Sequence, residues 1–107
     1  MVTVLFICTG NAARSQMAEG LLINMNSSIN VLSAGTKLDG LNPKATIAME
    51  KIGIDISNQI SKSITDLEWK EADYAITLCG SANETCVSMP WPENCIKFHW
   101  PIKDPKT

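Results

Sequence analysis

The sequence predicts an α/β domain, a three-layer open sheet of parallel strands with flanking helices. Three observations carry that expectation. Strand-like apolar runs alternate with helical periodicities, the first run is unbroken as in a strand covered on both faces, and the helical segments carry cap residues.

Val2 to Ile7 is the unbroken run and reads as the buried first strand. After a short loop, Met17, Ala18, Leu21, Leu22 and Met25 recur at helical spacing, and the Asn and Ser residues from Asn26 onward stop that helix. Val31 to Ala34 is a second short strand closed by Gly35. Asn42 followed by Pro43 is a cap and first-turn signal. Ala45, Ala48, Met49 and Ile52 then share a helical face that Gly53 ends. Thr65 to Glu68 has capping-box spacing and opens an expected third helix ending near Ala72. Tyr74 to Leu78 and Ile96 to Trp100 complete the strands. In such a sheet the ligand site lies at the carboxyl ends of the strands, and Cys8 and Cys79 each stand at one.

The 107 residues are expected to form a single domain, 1–107, with no repeat, low-complexity tract or linker to divide them. Hydrophobic residues make up 45% and charged residues 19%, a composition that folds rather than remaining disordered. Nine Lys plus Arg against eleven Asp plus Glu leave a net charge of -2, so no nucleic acid or anionic membrane is expected as a partner. The first apolar run is too short to span a bilayer and lacks the basic flank of a secretory signal. A cytoplasmic monomer is the expectation. The four cysteines, Cys8, Cys79, Cys86 and Cys95, are then read as inert, metal-bound or catalytic thiols rather than a disulfide framework.

Residues Cys8 to Ser15 read CTGNAARS, a cysteine and an arginine separated by five residues, then a hydroxyl residue and a helix. A short loop feeding a helix N-terminus turns backbone N–H groups toward a common centre and adds the positive end of the helix dipole, which suits a tetrahedral oxyanion. The expected cradle is Thr9, Gly10, Asn11, Ala12, Ala13 and Arg14. Gly10 and Asn11 tolerate the positive φ of a tight curl. Arg14 can grip two oxygens with its planar guanidinium. The same field stabilises a sulfur anion, so Cys8 is expected to be a thiolate nucleophile, with Ser15 donating a further hydrogen bond to it. Neither a Walker A nor a G-x-G-x-x-G pattern occurs, which argues against a nucleotide site.

With this loop the sequence resembles the low-molecular-weight tyrosine phosphatase family and, within it, the thioredoxin-coupled arsenate reductases. The resemblance runs through CTGNAARSQMAEG (Cys8 to Gly20), SAG (Ser33 to Gly35), NPKA (Asn42 to Ala45), IDIS (Ile54 to Ser57), TLC (Thr77 to Cys79), and HW with a later DP (His99, Trp100, Asp104, Pro105). The Cys-x5-Arg-Ser loop alone points to the phosphatase superfamily; the later cysteines point to the reductases.

Cys79 ends an expected strand and Cys86 lies seven residues on, a spacing unlike a thioredoxin-type Cys-x-x-Cys. With one His in the chain, a structural metal site is poorly supported. A thiol-linked arsenic adduct on Cys8 needs a second thiol to attack the Cys8 sulfur, and Cys79 fits that role. Cys86 can then move the oxidised pair outward by thiol-disulfide exchange. The resemblance implies this triple relay, with thioredoxin reducing the Cys79–Cys86 bond. It also makes Asp104 the general acid for the leaving oxygen; on its own, Asp-Pro reads as a turn. His99 is expected to be structural at a strand end, and Cys95 incidental.

Three features depart from the family pattern. Ala12-Ala13 stands where many relatives carry a cysteine before the arginine. Relatives continue past the DP pair into a helix that covers part of the sheet; that C-terminal helix is expected to be missing here, so either the sequence is cut short or some apolar surface is exposed and invites association. Some relatives bind a monovalent cation through residues corresponding to Asn11, Glu19, Ser33 and a later acidic position, here Lys62, whose ammonium could replace the ion. No other cofactor is expected. The expected function is thus arsenate reduction by Cys8, Cys79 and Cys86. The alternatives are a tyrosine phosphatase using Cys8, Arg14 and Asp104, which needs neither later cysteine, and a non-enzymatic oxyanion-binding or thiol redox-sensor protein, which needs no general acid.

Overall fold

The computed structural model describes residues 2–8, 14–26, 28–35, 43–57, 59, 63–64, 69–78 and 89–100. Thr9 to Ala13, Lys62, Cys79, Cys86 and Asp104 lie outside the described residues. The elements are β1 (Thr3–Cys8), α1 (Arg14–Met25), β2 (Asn30–Gly35), α2 (Pro43–Glu50), β3 (Tyr74–Thr77) and β4 (Ile96–His99). The four strands form one sheet in the order β2-β1-β3-β4, with every adjacent pair parallel. This is the α/β architecture expected from the alternating pattern.

The unbroken apolar run at the N-terminus becomes β1 because both faces of that strand are covered. Val4, Phe6 and Cys8 join Val31, Ile76 and Leu78 on one face, where Ala18 and Leu22 of α1 pack. Leu5 and Ile7 point the other way, into a cluster with Ala34, Ile64, Ala72, Ala75 and Cys95, flanked by Trp69 and Trp91. Both are fully buried, and each such side chain contributes about 1.5–3 kcal/mol of hydrophobic stabilisation.

A third cluster, Ala45, Met49 and Ile56 with Met17 and Ile54, joins α2 and the following segment to α1. α2 opens on Pro43, whose missing N–H costs nothing at a helix start. It closes through Gly53, at φ +81°, whose N–H donates to Glu50 O at 3.0 Å while Ile54 N–H donates to Met49 O at 2.9 Å. That pair of bonds is a Schellman closure, and the contact of Ile54 with Met49 completes it. α1 stops where Asn26 Oδ1 accepts hydrogen bonds from Ser28 N–H at 3.0 Å and Ser28 Oγ at 2.6 Å, a turn that competes with the helix.

Three expectations need correction. In α1 the buried residues are Ser15, Gln16, Glu19 and Gly20, whereas Leu21 and Met25 are exposed. The helix presents a polar stripe inward because its first turns serve the strand ends as well as the core. In α2 only Ala45 and Met49 of the expected face are buried; Ala48 is exposed, and Ile52 lies past the helix in the closing turn, also exposed. The described part of the expected third helix is a short 3₁₀ turn, Trp69–Glu71, which gives way to β3 once Asp73 N–H bonds Thr3 O at 2.9 Å.

Candidate active site

Cys8 is the last residue of β1, paired in register with Gly35 at the end of β2, and it is buried. α1 begins at Arg14, so five residues separate the strand end from the first helical turn. That turn brings Ser15 Oγ to 2.9 Å from Cys8 Sγ, both atoms buried. A hydroxyl in that position can donate to the sulfur when it is a thiolate and accept from it when it is a thiol. Arg14 sits on the neighbouring helical position. Its Nη1 donates to the backbone oxygen of Leu78 at 3.4 Å, tying the arginine to the residue just past β3. Leu78 in turn donates from its N–H to Ile7 O at 2.8 Å. Cys8 and Ser15 are thus in contact, and Arg14, one residue before Ser15, reaches the carbonyl just past the end of β3.

A second polar layer lies one turn deeper. The Ser33 hydroxyl of β2 donates to Glu19 Oε1 of α1, both buried. These are two of the expected cation-binding residues, and a direct hydrogen bond joins them. Gln16 is fully buried, and Gln59 Nε2 donates both to its side-chain Oε1 at 2.7 Å and to its backbone oxygen at 2.8 Å. Gly20 allows this close docking: a Cβ there would come within 2.5 Å of Ile56 Cγ2. Gln16, Gln59 and the Leu78 carbonyl were not singled out by the sequence pattern. The helical pattern carried no signal for Gln16, since with Glu19 it lies on the side of α1 opposite the apolar residues Met17, Leu21 and Met25 and so reads as solvent-facing.

At the other side of the sheet edge, His99 Nδ1 lies 2.9 Å from Thr77 Oγ1, joining the ends of β4 and β3. This fits the structural role expected of His99. Cys95 is buried on the opposite face of the sheet from Cys8, and burial raises its thiol above the ordinary value. Cys8 and Cys95 are free thiols among the described residues. Also among the described residues, no group of three or more His, Cys, Asp or Glu could hold a metal ion, and no helix is long and apolar enough to cross a membrane.

A parallel α/β sheet whose first strand ends in a cysteine, with an arginine and a serine opening the following helix, is the framework of an enzyme of the phosphatase type. Residues 3–107 match the low molecular weight phosphotyrosine protein phosphatase family, and the chain belongs to it. It is 45% identical over 104 residues to an arsenate reductase of Staphylococcus xylosus, a match covering 96% of this chain and 78% of that protein. Among solved structures it superposes on the thioredoxin-dependent arsenate reductase of Corynebacterium glutamicum with a TM-score of 0.81 and 31% identity, covering 100% of this chain and 52% of that one. It also superposes on the low molecular weight protein tyrosine phosphatase of T. tengcongensis with a TM-score of 0.84 and 28% identity, covering 98% and 82%.

Proposed function

We propose that this chain is an arsenate reductase that draws its electrons from thioredoxin. The observation that carries the reading is the hydrogen bond from Arg14 to the carbonyl of Leu78. Cys79 follows Leu78 directly in the chain, and consecutive Cα atoms are only about 3.8 Å apart. The sequence thus carries a second thiol one residue beyond the carbonyl that the arginine holds. A phosphatase has no use for a thiol there, because water resolves its phosphoenzyme. The identity to the Staphylococcus xylosus arsenate reductase supports the same choice.

In this proposal Thr9 to Ala13 offer their N–H groups to arsenate and Arg14 clamps two of its oxygens. The Cys8 thiolate attacks arsenic, forming an S–As bond, and Asp104 protonates the oxygen that leaves as water. The Ser15 hydroxyl holds the sulfur in line. The Cys79 thiolate then attacks Cys8 Sγ. An S–S bond forms, the S–As bond breaks, and its electron pair stays on arsenic, which leaves as arsenite in the trivalent state. Cys86 attacks Cys79, restoring the Cys8 thiolate and leaving a Cys79–Cys86 disulfide, which the dithiol of thioredoxin reduces by exchange. Such a relay runs in a reducing compartment, so the cytoplasm is its proposed setting. It works within one chain of one domain and requires no metal. A monovalent cation near Asn11, Glu19 and Ser33 is not needed for any step, since the Ser33 hydroxyl already donates to the Glu19 carboxylate.

The experiment is Cys79→Ser, compared with the parent in thioredoxin-coupled arsenate reduction and in aryl phosphate hydrolysis. The variant is expected to lose arsenite production almost completely and keep whatever phosphatase activity the parent has. Strong aryl phosphate turnover in the parent, with no arsenite from either protein, would establish the phosphatase reading instead.

A further inference from the structure

We infer that Gln59 is a positioning residue for the Cys8 nucleophile, acting through the buried Gln16 on the first turn of α1. The inference rests on the reading of Cys8 as the attacking thiolate. Its evidence is the double hydrogen bond from one amide nitrogen. Gln59 Nε2 reaches both oxygens of a single residue, the side-chain Oε1 and the backbone carbonyl of Gln16. Gln16 is fully buried and stands immediately after Ser15, whose hydroxyl is 2.9 Å from Cys8 Sγ.

A carbonyl in a helix that accepts a second bond from outside is held in direction as well as in distance. The bond from Gln59 therefore fixes the orientation of the peptide joining Gln16 to Met17, and with it the turn that carries Arg14 and Ser15. The segment bearing Gln59 is itself anchored. Ile56 is fully buried against Gly20, so closely that a Cβ on Gly20 would meet its Cγ2 at 2.5 Å, and Gln59 N–H donates to Ile56 O at 2.9 Å. Gln59 Oε1 lies 3.3 Å from the same Gly20 Cβ position. The amide thus lies along α1 between Gln16 and Gly20, and a rigid apolar contact sets its depth. Neither glutamine touches the oxyanion in the proposed reaction; their effect passes through Ser15 and Arg14.

The test separates positioning from a general loss of stability. Gln59→Met keeps the shape and removes both donors; Gln59→Glu keeps the shape and replaces the donor nitrogen with an acceptor; Gln16→Met removes one of the two acceptors. Iodoacetamide modification of Cys8, followed by mass spectrometry with and without phosphate, gives a pH profile that does not depend on arsenate reduction. The expected result for Gln59→Met is alkylation of Cys8 slowed roughly tenfold at pH 7, as for loss of one strong hydrogen bond, with the profile moved to higher pH and weaker protection by phosphate. Gln59→Glu should behave alike. In the double variant with Gln16→Met, the effect should be less than the sum of the two single effects, because both act along one path. A lowered thermal midpoint with an unchanged Cys8 profile in both Gln59 variants overturns the inference, as does strict additivity. Failure of phosphate to protect Cys8 in the parent protein would instead overturn the oxyanion-loop reading on which the proposed function stands.

Discussion

β1 and β4 are parallel strands of one sheet, each ending at its carboxyl edge, yet they have opposite relations to solvent. All but the first residue of β1 are buried, whereas all four residues of β4 are exposed. Ile96 and Trp100 are 50% exposed and Phe98 42%, and their aromatic rings line up as Tyr74, Phe98 and Trp100 with centroids 6.4 and 5.9 Å apart. The difference teaches where the fold concentrates its stability. The strand carrying Cys8 is, like β3, enclosed on both faces and paired with two neighbours, so Cys8 stands at the end of a fully enclosed strand. The edge strand contributes hydrogen bonds to β3 and little enclosed apolar area.

The largest effect that this contrast predicts is on stability at β1. Leu5→Ala leaves a cavity at a fully buried position and should cost about 2–5 kcal/mol, read as a lower urea midpoint with an unchanged slope. A cost below 1 kcal/mol would mean that β1 is not the keystone described. Next in size is Ser15→Ala. It removes the hydroxyl 2.9 Å from Cys8 Sγ, and a hydrogen bond to a charged group is worth about 1.5–3 kcal/mol, so single-turnover arsenite release should fall roughly 10- to 100-fold. Urea stability should change much less.

The parallel α/β class, the four strand segments and the strand-to-helix junction from Cys8 to Arg14 and Ser15 were legible in the sequence because they follow from local rules: an apolar run of fixed length, a loop of fixed spacing, and a helix that starts where the loop ends. What was not legible depends on tertiary docking. Leu21 and Met25 continue the helical periodicity, but exposure of one flank of α1 leaves them outside, while Gln16 and Glu19 are turned inward by partners 43 and 14 residues distant in the chain. Ile52 fits the α2 face by counting, but the Schellman closure at Gly53 removes it from the helix and from the core. Propensity and periodicity describe an element by itself; which side it buries is decided by the segment that packs on it.

A smaller effect separates the two thiols on opposite faces of the sheet. Burial raises the pKa of Cys95 above the ordinary thiol value of 9.0. The native state then holds the Cys95 proton more tightly than the unfolded chain does. The associated stability is fully present below the unfolded pKa, falls as pH rises through it, and is lost by the folded value. Urea stability should decline above about pH 9, and Cys95→Ala should flatten that alkaline slope. In the native protein iodoacetamide should modify Cys8 before Cys95 at every pH below that window. Equal rates for the two thiols would erase the distinction between a reactive strand end and an inert core cysteine.

The smallest expected effect is at the edge strand. Phe98→Ala removes a ring that already meets solvent over 42% of its surface and touches only Tyr74 and Trp100 among the aromatic side chains described. The lost ring contacts amount to about 0.5–1.5 kcal/mol, at or below the low end of the range for Leu5→Ala. Its backbone still pairs with Ile76 in the β3–β4 register, so the bond between Thr77 and His99 and the end of β3 stay in place. Arsenite production should therefore be unchanged within a factor of about two, a difference under 0.5 kcal/mol. A stability cost equal to that of Leu5→Ala would show that β4 is enclosed in solution by a further layer, and the contrast between central and edge strand would have to be redrawn with that layer in place.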